Sequence, residues 1–158
     1  MVRCGIAVYG MDPFQGDPAE HGLEPALELV SYVAAVKPIA PAESAGYGRR
    51  FVADAPTWLG TVPIGYADGV RRALTNNCDV LVAGRRVPVV GTVSMDNITV
   101  DLGPGDPPPV STEVVLLGAR GGERVLAEEW ARRLGTINYE ITCGISARVP
   151  RAYAGGDA

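Results

Sequence analysis

DVLVAGRRVPVVGTV, Asp79 to Val93, is the stretch whose reading decides the fold class. Two β-branched runs flank Ala83-Gly84, where glycine supplies positive φ, and the pattern predicts a β-hairpin with its tip at that dipeptide. Pro88 can donate no ladder hydrogen bond, so the second arm is expected on a sheet edge or with Pro88 at its start. Similar short runs recur outward from this hairpin, at Thr57 to Ile64, Ile98 to Leu102 and Glu113 to Leu117, with turn residues such as Asp68-Gly69 between them. Strands at that spacing predict an all-β barrel or sandwich.

One helix is expected, Val125 to Leu134, with Ala127, Trp130, Ala131 and Leu134 on its apolar face, Glu128 and Glu129 on the opposite one, and Gly135 as its C-terminal cap. Ala26 to Lys37 fits either helix or strand, and its valines and the following Pro38 favour strand. Met11 to Pro25 is rich in Pro, Gly and Asp and reads as a loop. Before it, Val2 to Gly10 is strand-like and opens without a turn, as if cut from a larger protein.

The chain has 158 residues, 47% hydrophobic and 20% charged, a composition that folds and buries a core. Its net charge is −4, and its 14 basic residues occur as scattered pairs, which argues against a nucleic-acid partner. Three cysteines, Cys4, Cys78 and Cys143, with a single histidine suggest neither a disulfide framework nor a metal site, and they fit a cytoplasmic setting. No apolar run approaches the roughly 18 to 20 residues of a membrane helix, so no membrane partner is expected.

Three places could carry chemistry: Gly46-Tyr47-Gly48, Gly65 to Gly69 around Tyr66, and Ser94-Met95-Asp96-Asn97. A tyrosine between glycines is more often a turn residue packed on a sheet edge, and spacing alone assigns no enzyme class. Ser94 and Cys143 lack a neighbouring base, since His21 lies in the Pro/Gly loop. Asp96, Asp101 and Asp106 fit no cation-loop spacing.

Taken together, VRCGIAVYG (2–10), AESAGYGRR (42–50), IGYADGVRR (64–72), VVGTVSMDNITVDL (89–102), TINYE (136–140) and RVPR (148–151) resemble alanine racemase from its last barrel strand to its end. The resemblance implies a mainly β, small β-barrel-like Greek-key domain with one or two helices. It divides the chain into residues 1–20, the remnant of the last strand of a TIM-like barrel with its following loop, and residues 21–158, the C-terminal β domain. It also implies pyridoxal 5'-phosphate as cofactor, alanine as substrate, and a head-to-tail homodimer, or a pairing with a cofactor-bearing barrel chain, in which each β domain completes its partner's site.

By the same resemblance Tyr47 is the acid/base on the face opposite the cofactor lysine. Racemisation needs a base on each face of the planar α-carbon, because one base mostly returns the proton to the face it left. A tyrosine, with a reference pKa of about 10, then needs help from its surroundings to act near neutrality. Arg3 is matched to the arginine facing the pyridine nitrogen, and Gly5 and Ile6 to the backbone N–H donors for the cofactor phosphate. Met95 is matched to a residue beside the substrate carboxylate, and Tyr66 and Arg72 to residues lining the approach to the site.

Three departures stand out. Ala147 occupies a place assigned to a phosphate-binding tyrosine, and Thr92 replaces a frequent arginine on the approach. The only lysine, Lys37, does not match the cofactor-lysine motif, and a barrel needs about 250 residues of its own. The chain alone is therefore expected to be inactive. The alternatives are a non-catalytic β domain that dimerises or binds, and a racemase part for another small amino acid such as serine.

Overall fold

The structure, a computed structural model, describes residues 1–154. The last four residues of the expected β domain, 155–158, lie outside them. Val82 and Arg85 pair across Ala83-Gly84, whose φ values of 49° and 73° form the tight tip expected of that dipeptide. The strands, in chain order, are β1 (Leu29–Tyr32), β2 (Ala35–Ile39), β3 (Ser44–Ala45), β4 (Phe51–Val52), β5 (Thr57–Val62), β6 (Asp79–Val82), β7 (Arg85–Val90), β8 (Ile98–Gly103), β9 (Glu113–Arg120) and β10 (Glu123–Val125). Two helices follow, α1 (Ala127–Leu134) and α2 (Asn138–Cys143).

Eight strands form one antiparallel sheet in the order β1-β9-β6-β7-β8-β5-β2, with β10 also paired to β9. The two ends of that order, β1 and β2, are joined by only Val33-Ala34. A link that short spans about 10 Å at most, so the sheet must curl until its ends meet. Val33 N–H donates to Thr112 O and Ala34 N–H to Thr61 O, which seals the seam from both sides. The placement of β5 beside β8 after the β6-β7-β8 meander is a Greek key. The mainly β, barrel-like expectation holds.

Burial follows the sequence pattern. β8 alternates buried and half-buried residues without exception, so Ile98, Val100 and Leu102 point into the barrel. In β9 the run Val114 to Leu117 is buried on both faces, in one core cluster with Trp130 and Ala131 of α1. Burying each such side chain contributes about 1.5–3 kcal/mol.

Four local expectations are corrected. Gly5–Tyr9 forms a 3-10 helix rather than an extended strand, because Gly5 sits at φ +57° and turns the chain at once. The Met11 to Pro25 loop contains a 3-10 turn at Pro18–His21, capped by the Asp17 carboxylate accepting from Ala19 N–H. Pro88 lies inside an interior strand. The Val89 N–H donates to Cys78 O, so the nitrogen of Pro88 faces β8, whose pairing begins only at Val89. The strand reading of Ala26 to Lys37 holds in β1 and β2, with Pro38 inside β2, which pairs only with β5.

The fourth correction concerns Glu128, which is fully buried on α1 instead of facing water. Its Oε1 accepts from the Asp12 N–H and from Asn138 Nδ2. Asn138 Nδ2 also donates to Asp12 O, and the Asn138 N–H donates to Gln15 Oε1. This network ties Asp12-Gln15 to the start of α2 and places the Gly5–Tyr9 turn against that helix.

Candidate functional site

Tyr47 is carried on the small β3-β4 hairpin, where Ser44 pairs with Val52 and Ala45 with Phe51. Phe51 and Ala53 pack with Ile39, Leu59 and Val90 in a minor apolar cluster separate from the main core. That packing holds the hairpin while its tip, Gly46 to Arg50, projects with Tyr47 75% exposed. Gly46 and Gly91, at φ +74° and +73°, let the tip approach the end of β7 closely; a Cβ on Gly46 would lie 3.1 Å from Thr92 N. The Thr92 hydroxyl donates to the Tyr47 carbonyl at 2.6 Å.

Tyr66 reaches the same place by a different route. Its N–H donates to Ser94 O and that of Ala67 to Met95 O, both at 3.0 Å. Gly65 is needed for this, since a Cβ there would stand 2.4 Å from the carbonyl oxygens of Ser94 and Met95. Asp68 closes the turn by accepting from Gly65 N–H at 2.8 Å and pairs with Arg148 Nε at 2.6 Å. Arg148 also bonds Asp96 at 2.5 Å. The hydrogen bond from Arg148 holds the Asp68 carboxyl below the ordinary carboxylate range, against the opposing effect of burial. Three motifs distant in sequence are thereby locked into one corner.

Tyr47, Tyr66, Arg72, Thr92 and the Val93–Asn97 turn line an open cleft of about 440 Å³. The expected residues Tyr47, Tyr66, Arg72 and Met95 are thus brought together. Arg72 begins a 3-10 turn, is exposed, and makes no ion pair among the described residues. Arg3, Gly5 and Ile6 do not line this cleft. A second pocket, about 270 Å³ and mostly apolar, lies between Met11–Leu27 and β9, β10 and α1, and carries none of the expected site residues.

Gly5 and Ile6 open their own 3-10 helix, where the first N–H groups have no partner within the helix. The Tyr139 hydroxyl lies 3.4 Å from where a Cβ on Gly5 would project. Sequence reading quoted Tyr139 within TINYE without giving it a role; the signal that finds it is this contact, which only the fold reveals. Ala147, by contrast, is exposed.

The remaining candidates are structural. Ser94 Oγ donates to Asn97 O and accepts from Asn97 N–H, a local turn. Asp101 accepts from the Thr57 hydroxyl and from Gly103 N–H. Among the described residues no group of three or more His, Cys, Asp or Glu gathers as metal ligands, and no helix is long and apolar enough to cross a membrane.

A family model described as "Alanine racemase, C-terminal domain" matches residues 26–153. The chain is 47% identical over 156 residues to the alanine racemase of Cutibacterium acnes, covering 98% of this chain and 41% of that protein. The alanine racemase of Streptomyces coelicolor superposes with a TM-score of 0.89 at 42% identity, over 96% of this chain and 40% of that one. That of Bartonella henselae, solved with covalently bound pyridoxal phosphate, gives 0.83 at 32% identity, over 94% and 40%. The chain therefore spans about two-fifths of the length of the relatives it matches.

Proposed function

Because the chain belongs to the alanine racemase C-terminal domain family, we propose that it is the C-terminal part of a pyridoxal-phosphate-dependent alanine racemase, supplying Tyr47 as acid/base to a partner's site and inactive without a barrel. The observation that carries this reading is the convergence of Tyr47, Tyr66, Arg72 and Met95 on one open cleft. Tyr47 Oη takes or returns the α-proton on one face. Arg72, which has no carboxylate partner among the described residues, attracts the substrate carboxylate, and the Tyr66 ring narrows its path. The Met95 backbone, pinned to Ala67, borders the carboxylate's place.

The residues of this chain also fit the cofactor. Gly5 and Ile6 would hold its phosphate through two backbone N–H groups, and a side chain on Gly5 would occupy the space that faces the Tyr139 hydroxyl. Tyr139 would add a third donor, which makes the hydroxyl expected at Ala147 unnecessary. Arg3 would face the pyridine nitrogen as a permanent cation. When bound, the cofactor supplies the electron sink that acidifies the substrate's α-hydrogen.

Two residue sets, one at the cleft and one at Gly5 to Tyr139, suit a head-to-tail dimer in which a chain serves its own cofactor and its partner's substrate. Residues 1–20 then close a barrel unit and 21–158 form the β domain, in the cytoplasm. Exposed Val8, Tyr9 and Phe14 are the surface such a barrel covers. Alanine is favoured over serine, because the Thr92 hydroxyl is already engaged by Tyr47 O. The test is to combine the chain with a lysine-bearing barrel and pyridoxal phosphate and follow interconversion of L- and D-alanine. Sustained failure with folded components would leave a pairing domain without catalytic role.

A further inference from the structure

The Tyr47 tip is tied to the body of the domain by two side chains that touch only its backbone. Thr92 Oγ1 donates to Tyr47 O at 2.6 Å. Asn76 Nδ2 donates to Arg50 O at 2.8 Å, while Asn76 Oδ1 accepts from Gly91 N–H at 2.5 Å. One bond therefore grips each end of the turn, and both anchor to the Gly91-Thr92 segment. Between them, Gly48 and Arg49 have φ of +72° and +47°. A non-glycine residue at positive φ is held there by its surroundings, since on its own it favours other conformations.

Thr92 is only 8% exposed although its neighbour in the contact, Tyr47, stands in water. Its branched side chain has few rotamers, so the hydroxyl is aimed before the bond is made. Where the family often has an arginine, the γ position carries no hydroxyl and this bond cannot form. We propose that Thr92, assisted by Asn76, is a positioning residue that holds the Tyr47 phenol over the cleft and so sets how well the tyrosine face exchanges its proton. This rests on the reading of Tyr47 as acid/base.

The pair Thr92→Val and Thr92→Ser tests it, since valine keeps the shape and loses the hydroxyl whereas serine keeps the hydroxyl. In the racemase assembled with a barrel, α-proton exchange with solvent is measured separately from each alanine enantiomer, with Tyr47→Phe as control. Thr92→Val is expected to slow exchange on the tyrosine face roughly 5- to 10-fold, the worth of one neutral hydrogen bond, with the other face and KM unchanged and Thr92→Ser close to wild type. Equal rates in Thr92→Val and wild type, or an equal fall on both faces that serine does not rescue, would overturn the proposal. In the 158-residue chain itself, Thr92→Val is also expected to speed amide hydrogen exchange at Gly48 and Arg49, and unchanged exchange there counts against it. If Tyr47→Phe leaves α-proton exchange untouched, the acid/base reading fails, and amide exchange still decides whether Thr92 holds the turn.

Discussion

The hydroxyl of Tyr139 lies 3.4 Å from the point where a Cβ on Gly5 would project, although nearly the whole β domain separates the two in sequence. The contact joins the first turn of the chain to α2, and the space beside it is where the proposed function puts the cofactor phosphate. If that space takes the cofactor phosphate, Tyr139→Phe in the assembled racemase should weaken pyridoxal-phosphate binding by roughly tenfold or more, since hydrogen bonds to charged groups are worth about 1.5–3 kcal/mol. Gly5→Ala should weaken it further, by filling the space and straining a residue at φ +57°. Titration with pyridoxal, which lacks the phosphate, is the control: an equal loss for both ligands would remove the phosphate assignment.

The network behind this contact should matter for stability. Asp12, Glu128 and Asn138 are all fully buried, and Asn138 donates to both of the others. Asn138→Ala removes one of the two donors on Glu128 Oε1 and one of the two on the Asp12 carbonyl, which keep only the N–H groups of Asp12 and Gln15, and is expected to cost about 1–3 kcal/mol in urea denaturation. Asn138→Asp replaces a donor with an acceptor beside Glu128 and should be at least as damaging. A variant as stable as wild type would show that the network is not held as described.

The corner built by Asp68 should respond to acid. Its carboxyl is held below the ordinary aspartate value of 3.8 by the hydrogen bond from Arg148, against the opposing effect of burial, with the Gly65 N–H adding to it. A depressed folded-state pKa contributes stability that is complete above 3.8 and drains away as the pH falls further. Because the pair is partly exposed, the contribution should be below about 1 kcal/mol. Asp68→Asn should therefore flatten the loss of stability between neutral pH and pH about 3, measured by thermal melts; an unchanged acid slope would contradict the assignment.

Cysteine labelling checks the core directly. Burial pushes the Cys78 thiol up to about 12, whereas Cys4 and Cys143 are exposed. Iodoacetamide at pH 8 should label Cys4 and Cys143 in the native chain and reach Cys78 only in denaturant, as read by peptide mass spectrometry.

The barrel strands were legible because β-branched runs at β5, β6, β8 and β9 coincide with the buried faces, and Gly135 marked the end of α1 by its need for positive φ. Less legible were the features set by distant partners. Glu128 reads as a solvated helix residue until Asp12 and Asn138 supply its hydrogen bonds. The α2 sequence NYEITC has weak helix propensity, and the helix forms by packing on α1. Pro88 in an interior strand depends on where β8 begins to pair, which no local pattern encodes. At the site, the motifs named Tyr47, Tyr66, Arg72 and Met95, while Thr92 was read as a missing arginine instead of as a donor to Tyr47, and Tyr139 was left without a task.

The most direct test of the account is the exchange of the α-proton with deuterated solvent, measured from L- and D-alanine separately in the assembled racemase with and without Tyr47→Phe. The expected result is loss of exchange on one face by roughly a hundredfold or more, with the opposite face retained and the fold intact. Undiminished exchange from both enantiomers would contradict the placement of Tyr47 as the acid/base that this domain contributes.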